Sequence, residues 1–278
     1  MPYDRAAVAA YFDQFGEGEW QRFDKHALGA IHEHIHNVYL ERFVPPGSRV
    51  LEIGVGPGRF TQTLHRLGCR VVVADISAVQ LALNRRYGSE YGFASSVQAY
   101  ETLDICDLSA LPASSFDVVV AYGGPLSYVF DRRDDAVESC RRVLKSGGVF
   151  LASVMSLWGT LHRHLAALND LPPWSMKDIV ATGDLTPEND PTSLHKCHLF
   201  RSTELTSLVA RHGFTVVALA ASNALSTNLE PLLLELRERP DRWQALLDLE
   251  AQATAQPGYV DGGTHLIIAA EAVASHLD

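Results

Sequence analysis

The sequence predicts an α/β fold, a doubly wound and mostly parallel sheet with helices on both faces. Two observations carry that expectation. Short runs rich in β-branched residues, at 69–75, 116–121 and 149–154, alternate with helical patterns at the rhythm of right-handed βαβ crossovers. An earlier apolar run, 49–54, passes directly into a glycine-rich turn and then a helix, the unit on which open α/β sheets build a ligand site. With 278 residues, the chain can bury the large core such a sheet needs.

The elements follow in order. Helices are expected over 5–15 and about 20–43, where Leu28, Ile31, Ile35, Val38 and Tyr39 recur at helical spacing until Pro45-Pro46-Gly47 stops the pattern. The strand at 49–54 leads through glycines to a helix at 59–67, closed by Gly68. Residues 69–75 read as a strand buried on both faces, and Ser77 caps the next helix, which runs to about 87. Further strands are expected at 97–103, 116–121 and 149–154, with a helix over 133–144 before the last of these. The rhythm then breaks. Residues 156–200 hold Trp158, Pro172-Pro173-Trp174, Pro187 and Pro191 and no clear strand, which suggests a partly helical cap. A helix at 202–212, a strand at 214–221, a helical insertion at 223–256 and a last strand at 264–270 complete the chain. The expected division is therefore 1–44, an α/β core at 45–155, a cap at 156–200, and the rest of the core at 201–278.

Composition narrows the function. Hydrophobic residues make up 47% and charged residues 20%, as in ordinary globular proteins. No apolar run approaches the roughly 20 residues that span a bilayer, and the first fifteen residues lack a signal-peptide pattern, so a cytoplasmic protein without a membrane association is expected. The net charge is −10, and the densest basic spots, Arg85-Arg86 and Arg141-Arg142, are short, which disfavours nucleic acid as a partner. Cys69, Cys106, Cys140 and Cys197 are scattered without a CxxC, as expected of reduced, buried thiols.

The chemistry centres on Glu52-Ile53-Gly54-Val55-Gly56-Pro57-Gly58. Glycines at alternate positions after a buried strand let the backbone pass close to a ligand, and the following helix aims its free N–H groups at it. The spacing is neither GxGxxG nor a P-loop, and Thr61 is not preceded by lysine. A tight turn without a ligand is the alternative. Asp75 ends the next strand about 20 residues on, where a carboxylate can accept from both hydroxyls of a ribose; it can also simply cap a helix. Asp107, in a loop after the third strand, can accept from an adenine amine or be a solvated loop acid.

In order and spacing, VLEIGVGPGRF, VVVADIS, CDLSALPASSFDVVVAYGGPLSYV and CRRVLKSGGVFLASV resemble the class I S-adenosylmethionine-dependent methyltransferases over residues 48–155. The resemblance implies a seven-stranded sheet and S-adenosylmethionine as cofactor. Glu52, Gly54, Gly56 and Gly58 would lie beside its methionine and ribose, Asp75 would bind the ribose, and Ile76 would pack on the adenine. Asp107 and Leu108 would hold the adenine edge, and Ala121, Tyr122 and Gly123 would line the methionine and substrate end. It also implies an amino-terminal helical lid, with Trp20 and Arg22 reaching the methionine end; a helix packed on the sheet edge is the alternative.

The acceptor expected is a small molecule with an O or N nucleophile, enclosed by the two insertions, with Trp158, Trp174 and Trp243 as apolar walls. Tyr128, His162 and His198 are the candidate catalytic residues, with His164 and His195 as further contacts. His32-Glu33-His34-Ile35-His36 fits the zinc-protease signature H-E-x-x-H, and His195, Cys197 and His198 are metal-ligand types. The first competes with the better supported glycine site and the second is poorly spaced for one ion, so no metal is expected. A nucleotide-cofactor oxidoreductase and a non-catalytic S-adenosylmethionine-binding module are the alternative readings.

Overall fold

In the computed structural model, which describes residues 1–191 and 196–273, the chain begins with three helices, α1 (Arg5–Phe15), α2 (Gly18–Lys25) and α3 (Ala27–Phe43). Asp4 caps α1 by accepting from the Ala7 N–H. The single helix expected at 20–43 is broken at His26, whose backbone is extended (φ −129°, ψ 143°). The apolar stripe runs on through the break, so periodicity does not reveal it. Gly29 fits the bend: a Cβ there would lie 2.7 Å from the Arg22 carbonyl oxygen. The freed N–H groups of Ala27 and Leu28 donate to the Glu230 carboxylate (2.8 and 3.3 Å).

The α/β core follows as β1 (Arg49–Ile53), α4 (Thr61–Arg66), β2 (Arg70–Asp75), α5 (Ala78–Tyr91), β3 (Val97–Thr102), β4 (Phe116–Ala121), α6 (Pro125–Tyr128), α7 (Arg133–Val143) and β5 (Leu144–Met155). Ser77 caps α5 through the Gln80 N–H. The segment after β5 holds α8 (Leu157–Arg163), α9 (Pro173–Thr182) and two short antiparallel strands absent from the sequence expectation, β6 (Asp184–Leu185) and β7 (Cys197–His198). The remainder is α10 (Ser202–Arg211), β8 (Phe214–Ser222), α11 (Glu230–Arg237), α12 (Pro240–Ala253) and β9 (His265–Ala272).

The main sheet has seven strands in the order β3-β2-β1-β4-β5-β9-β8. The first five pair in parallel, and β9 runs antiparallel to both neighbours. Alternation along each strand feeds two cores. Leu51, Ile53, Val119 and Ala121 pack on one face with α7 and α10, while Val50, Val118, Val120 and Tyr122 pack on the other with α3. Leu233 of α11 and Leu247 of α12 join this second layer, so the late insertion thickens the core beside α3. Strand order reverses between β1 and β4, which places a crevice at their carboxyl ends. Among the described residues, no helix is long and apolar enough to cross a membrane.

Candidate active site

The crevice is built on the turn after β1. The Gly54 and Val55 N–H groups donate to the Ala74 carbonyl (2.8 and 3.1 Å), tying the turn to β2. Gly54 has φ +70°, and a Cβ on it would meet Pro125 Cγ at 2.4 Å, so only glycine fits. The Asp75 carboxylate accepts from the N–H of Gly56 (2.8 Å) and of Ser77 (2.9 Å). Burial raises its pKa to about 6, against the opposing pull of those N–H donors. Gly54, Gly56, Asp75 and Ile76 line one cavity with Asp104, Ile105 and Gly123, and α1 and α2 close it with Val8, Phe12 and Glu19.

Several expected residues stand outside this cavity. Glu52 is buried in the turn and accepts from the Thr61 hydroxyl (2.7 Å), and burial raises its pKa to about 8. Gly58 (φ +101°) serves packing, since a Cβ would lie 2.8 Å from both Asn84 Nδ2 and Phe93 Cζ. Trp20 stacks on Tyr87 (4.3 Å) and Tyr91 (5.0 Å), anchoring α2 to α5. Asp107 is exposed and accepts from the Ser109 N–H (3.0 Å), whereas Leu108 is wholly buried in the core beneath. The loop acid that lines the cavity is Asp104, because the loop turns back there, the Asp107 N–H donating to the Asp104 carbonyl (2.9 Å). Asp104 directly follows the third strand as expected at 97–103, a signal the motif at 106–112 obscured. Ala121 and Tyr122 are buried in the two cores, and the lining residue after β4 is Gly123.

A second cavity of about 430 Å³ adjoins the first, and Phe12, Glu19, Gly123 and Tyr128 line both. Arg22 lies on its wall, its Nε donating to Glu19 at 2.6 Å. Burial raises the Glu19 pKa, and Arg22 opposes this. The walls are largely aromatic and aliphatic: Tyr11, Phe15, Phe23, Leu161, Met176 and Leu199. Trp158 and Trp174 are exposed and Trp243 packs against the α3 layer, so none of the three expected tryptophans is a wall.

Of the candidate catalytic residues, Tyr128 stands where the cavities meet. Burial raises its pKa well above the usual value, which keeps it a neutral phenol. His162 is exposed and outside the cavity wall. His198 is also outside it, with Nδ1 bonded to Asp184 (2.7 Å) and Nε2 to Glu204 (2.8 Å). Burial alone would lower its pKa, but the two carboxylates outweigh burial and raise it. With both nitrogens committed, His198 braces the cap and is not available as a base. His164 does line the cavity. His195 lies outside the described residues.

The H-E-x-x-H segment resolves into packing. His32 and His36 stack at 4.0 Å, while Glu33 faces Arg59 (3.9 Å). Among the described residues, no group of three His, Cys, Asp or Glu is placed to hold a metal ion. His265, which the sequence did not single out, joins this pair edge-on at 4.5 Å from His32, and His32 and His265 both line the second cavity. All four cysteines are buried free thiols.

Comparison with known proteins agrees with this layout. Residues 51–152 match the family described as "Methyltransferase domain". A ubiquinone biosynthesis O-methyltransferase from Xanthomonas oryzae pv. oryzae (strain PXO99A) is 33% identical over 111 residues, 40% of this chain and 44% of that protein. The chain thus matches less than half the length of that relative. An S-adenosylmethionine-dependent methyltransferase from Thermotoga maritima superposes with a TM-score of 0.57 at 17% identity, over 94% of this chain and 98% of that one. The [4+2]-cyclase SpnF superposes with a TM-score of 0.59 at 19% identity, over 87% and 82%. At these identities the two structures bear on fold alone. Sequence match, strand order and the glycine turn together support a class I S-adenosylmethionine-dependent methyltransferase domain over residues 51–152, with S-adenosylmethionine as the cofactor of that domain.

Proposed function

We propose that the protein transfers the methyl group of S-adenosylmethionine to an oxygen or nitrogen nucleophile of a small molecule. The observation that carries this reading is the junction of the two cavities at Glu19, Gly123 and Tyr128. The crevice of the glycine turn meets there a second, larger and largely apolar cavity. In this reading Asp75 accepts from the ribose hydroxyls, and Gly54 and Gly56 give the backbone its close approach. Ile76 and Ile105 supply apolar surface to the adenine, and Asp104 takes its amine edge. Arg22 and Glu19 reach the methionine end, and α1 is the lid.

The bound cofactor supplies an electrophilic methyl group. The chain supplies position and dryness: apolar walls hold the acceptor in line with Gly123 and keep water from the junction. An amine must arrive deprotonated, whereas a hydroxyl gains from a nearby base, and the imidazoles lining the chamber are His26, His32, His164 and His265. The largely apolar walls and the net charge of −10 support a small acceptor over a polyanion. The O-methyltransferase activity in the curated relative's name favours oxygen.

A cyclase on this fold makes turnover the deciding measurement. Calorimetric titration with S-adenosylmethionine and S-adenosylhomocysteine is expected to show saturable binding, lost in Asp75→Ala and insensitive to NADH. Acceptor-dependent release of S-adenosylhomocysteine across a panel of phenols and amines would establish transfer. Binding without release would mark a non-catalytic module, and binding of NADH alone would mark an oxidoreductase.

A further inference from the structure

The chamber has a polar end that the cofactor does not need. His265 opens β9 and pairs in register with Met155 of β5 and Ser222 of β8, so it lies at the floor of the chamber along the sheet edge. Its Nδ1 is 3.1 Å from the Thr264 hydroxyl, which is itself 3.2 Å from Asn223 Oδ1. With the Thr264 proton directed to Asn223, the Nδ1–H of His265 donates to Thr264 and Nε2 keeps its lone pair. That Nε2 has no hydrogen-bond partner among the described residues. Behind it, His36 donates from Nδ1 to the His32 carbonyl (2.8 Å), and Nε2 of both His32 and His36 is buried without a partner. A buried acceptor left unpaired is costly, and the single member of the group that is only partly buried is His265.

We propose that His265, backed by His32 and His36, is the acceptor-recognition residue of this chamber, and that it selects an aromatic molecule carrying a hydroxyl group over a protonated amine. The proposal rests on the methyltransferase reading and names the substrate class of that same site. The lone pair on Nε2 accepts from the hydroxyl, while Phe12, Phe15, Phe23 and Tyr128 bury the ring. One strand separates β9 from β4, so the two strand ends lie about 10 Å apart. The His265 side chain and one aromatic ring fill that distance, leaving a second ring substituent beside Gly123.

Charge sets the preference. Burial is the largest force holding His265 neutral, followed by His36, Arg22 and Arg163, and the same kind of environment depresses His32 and His36. Arg163 lies on the chamber wall with no ion pair among the described residues. The acids of that wall are Glu19, which is paired with Arg22, and Asp190. With Arg22 paired to Glu19, and Asp190 on the same wall as Arg163, the charge an ammonium group would meet is the sulfonium of the cofactor, whereas a neutral hydroxyl would not be repelled and can donate to the Nε2 lone pair.

The test uses the full chain saturated with S-adenosylhomocysteine, 4-nitrophenol as hydroxyl probe in a mildly acidic buffer that keeps its hydroxyl protonated, and benzylammonium as cationic probe. Saturable 4-nitrophenol binding, read from its absorbance, is expected, weakened about tenfold or more in His265→Leu by the lost hydrogen bond. His265→Gln, which keeps an acceptor, is expected to fall between, and benzylammonium is expected not to compete. Undiminished S-adenosylhomocysteine binding by both variants shows that they fold. Failure of 4-nitrophenol to bind, equal binding by His265→Leu, or displacement by benzylammonium would overturn the proposal. If the unaltered protein does not bind S-adenosylhomocysteine, the methyltransferase reading falls first and this one with it.

Discussion

Two buried carboxyls on the same ligand turn carry raised pKa values with different consequences. Asp75 must be ionised to accept fully from two hydroxyls, and burial raises its pKa to about 6. Cofactor affinity is therefore expected to fall as pH drops through 6, with the dependence abolished and the affinity reduced about tenfold or more in Asp75→Asn, as titrations at pH 5, 6 and 7.5 would record. Glu52 lies behind the turn with a value of about 8, above the 4.5 of an exposed glutamate. A native state that binds the proton more tightly than the unfolded chain loses stability as pH rises through the interval between those values. Above the histidine range, between pH 7 and pH 8, urea unfolding is expected to show a falling stability, with a flatter profile and a gain at pH 8 for Glu52→Gln, whose amide oxygen can still accept from Thr61. Gly54→Ala belongs with these. Its Cβ would collide with Pro125 in a left-handed backbone, so loss of cofactor binding together with about 1–2 kcal/mol of stability is expected.

Among the helices, α1 is tied most closely to the crevice beside the glycine turn, its segment being anchored on Gln80 and Asp104 of the lining and on Ser77 next to it. Gln80 Nε2 donates to the carbonyls of Phe12 (2.9 Å) and Gly16 (3.0 Å), the Ser77 hydroxyl donates to Asp13 (2.5 Å), and the Tyr3 hydroxyl donates to Asp104 (3.0 Å). Deleting residues 2–16 is expected to speed S-adenosylhomocysteine release at least tenfold in stopped-flow fluorescence, since the bound nucleoside would then face solvent. An unchanged release rate would deny α1 the part of a lid. The strands were legible in the sequence because runs such as 70–75 and 116–121 can satisfy themselves only inside a parallel sheet. The break at His26 was not, because the apolar stripe of α3 is blind to one extended residue. Nor was the choice of Asp104 over Asp107, which depends on the backbone of one turn. The chamber was least legible: His32 and His265 come from opposite ends of the chain, and H-E-x-x-H drew the eye to histidines for a metal-binding role their stacked geometry does not fulfil.

At the scale of the molecule, the reversal of strand order between β1 and β4 creates one crevice, and the segments outside the β1–β5 core roof it. The amino-terminal helices and the segment between β5 and α10 meet over Gly123, so the two cavities share walls drawn from distant parts of the chain. A ligand seated at that junction stabilises every element that touches it, because it binds the folded chain and not the unfolded one. At a hundredfold excess over its Kd, a single ligand adds about 2.7 kcal/mol. For a chain of this length, each kcal/mol moves the midpoint by about 2–4 °C, so S-adenosylhomocysteine is expected to raise Tm by about 5–10 °C in a thermal-shift measurement. NADH is expected to leave it unmoved. Because Phe12 and Glu19 belong to both cavities, a hydroxylated aromatic added after S-adenosylhomocysteine should raise Tm further, and more than it does alone. Additive shifts would mean two independent sites, whereas a larger combined shift would mean that the first ligand orders the wall on which the second rests.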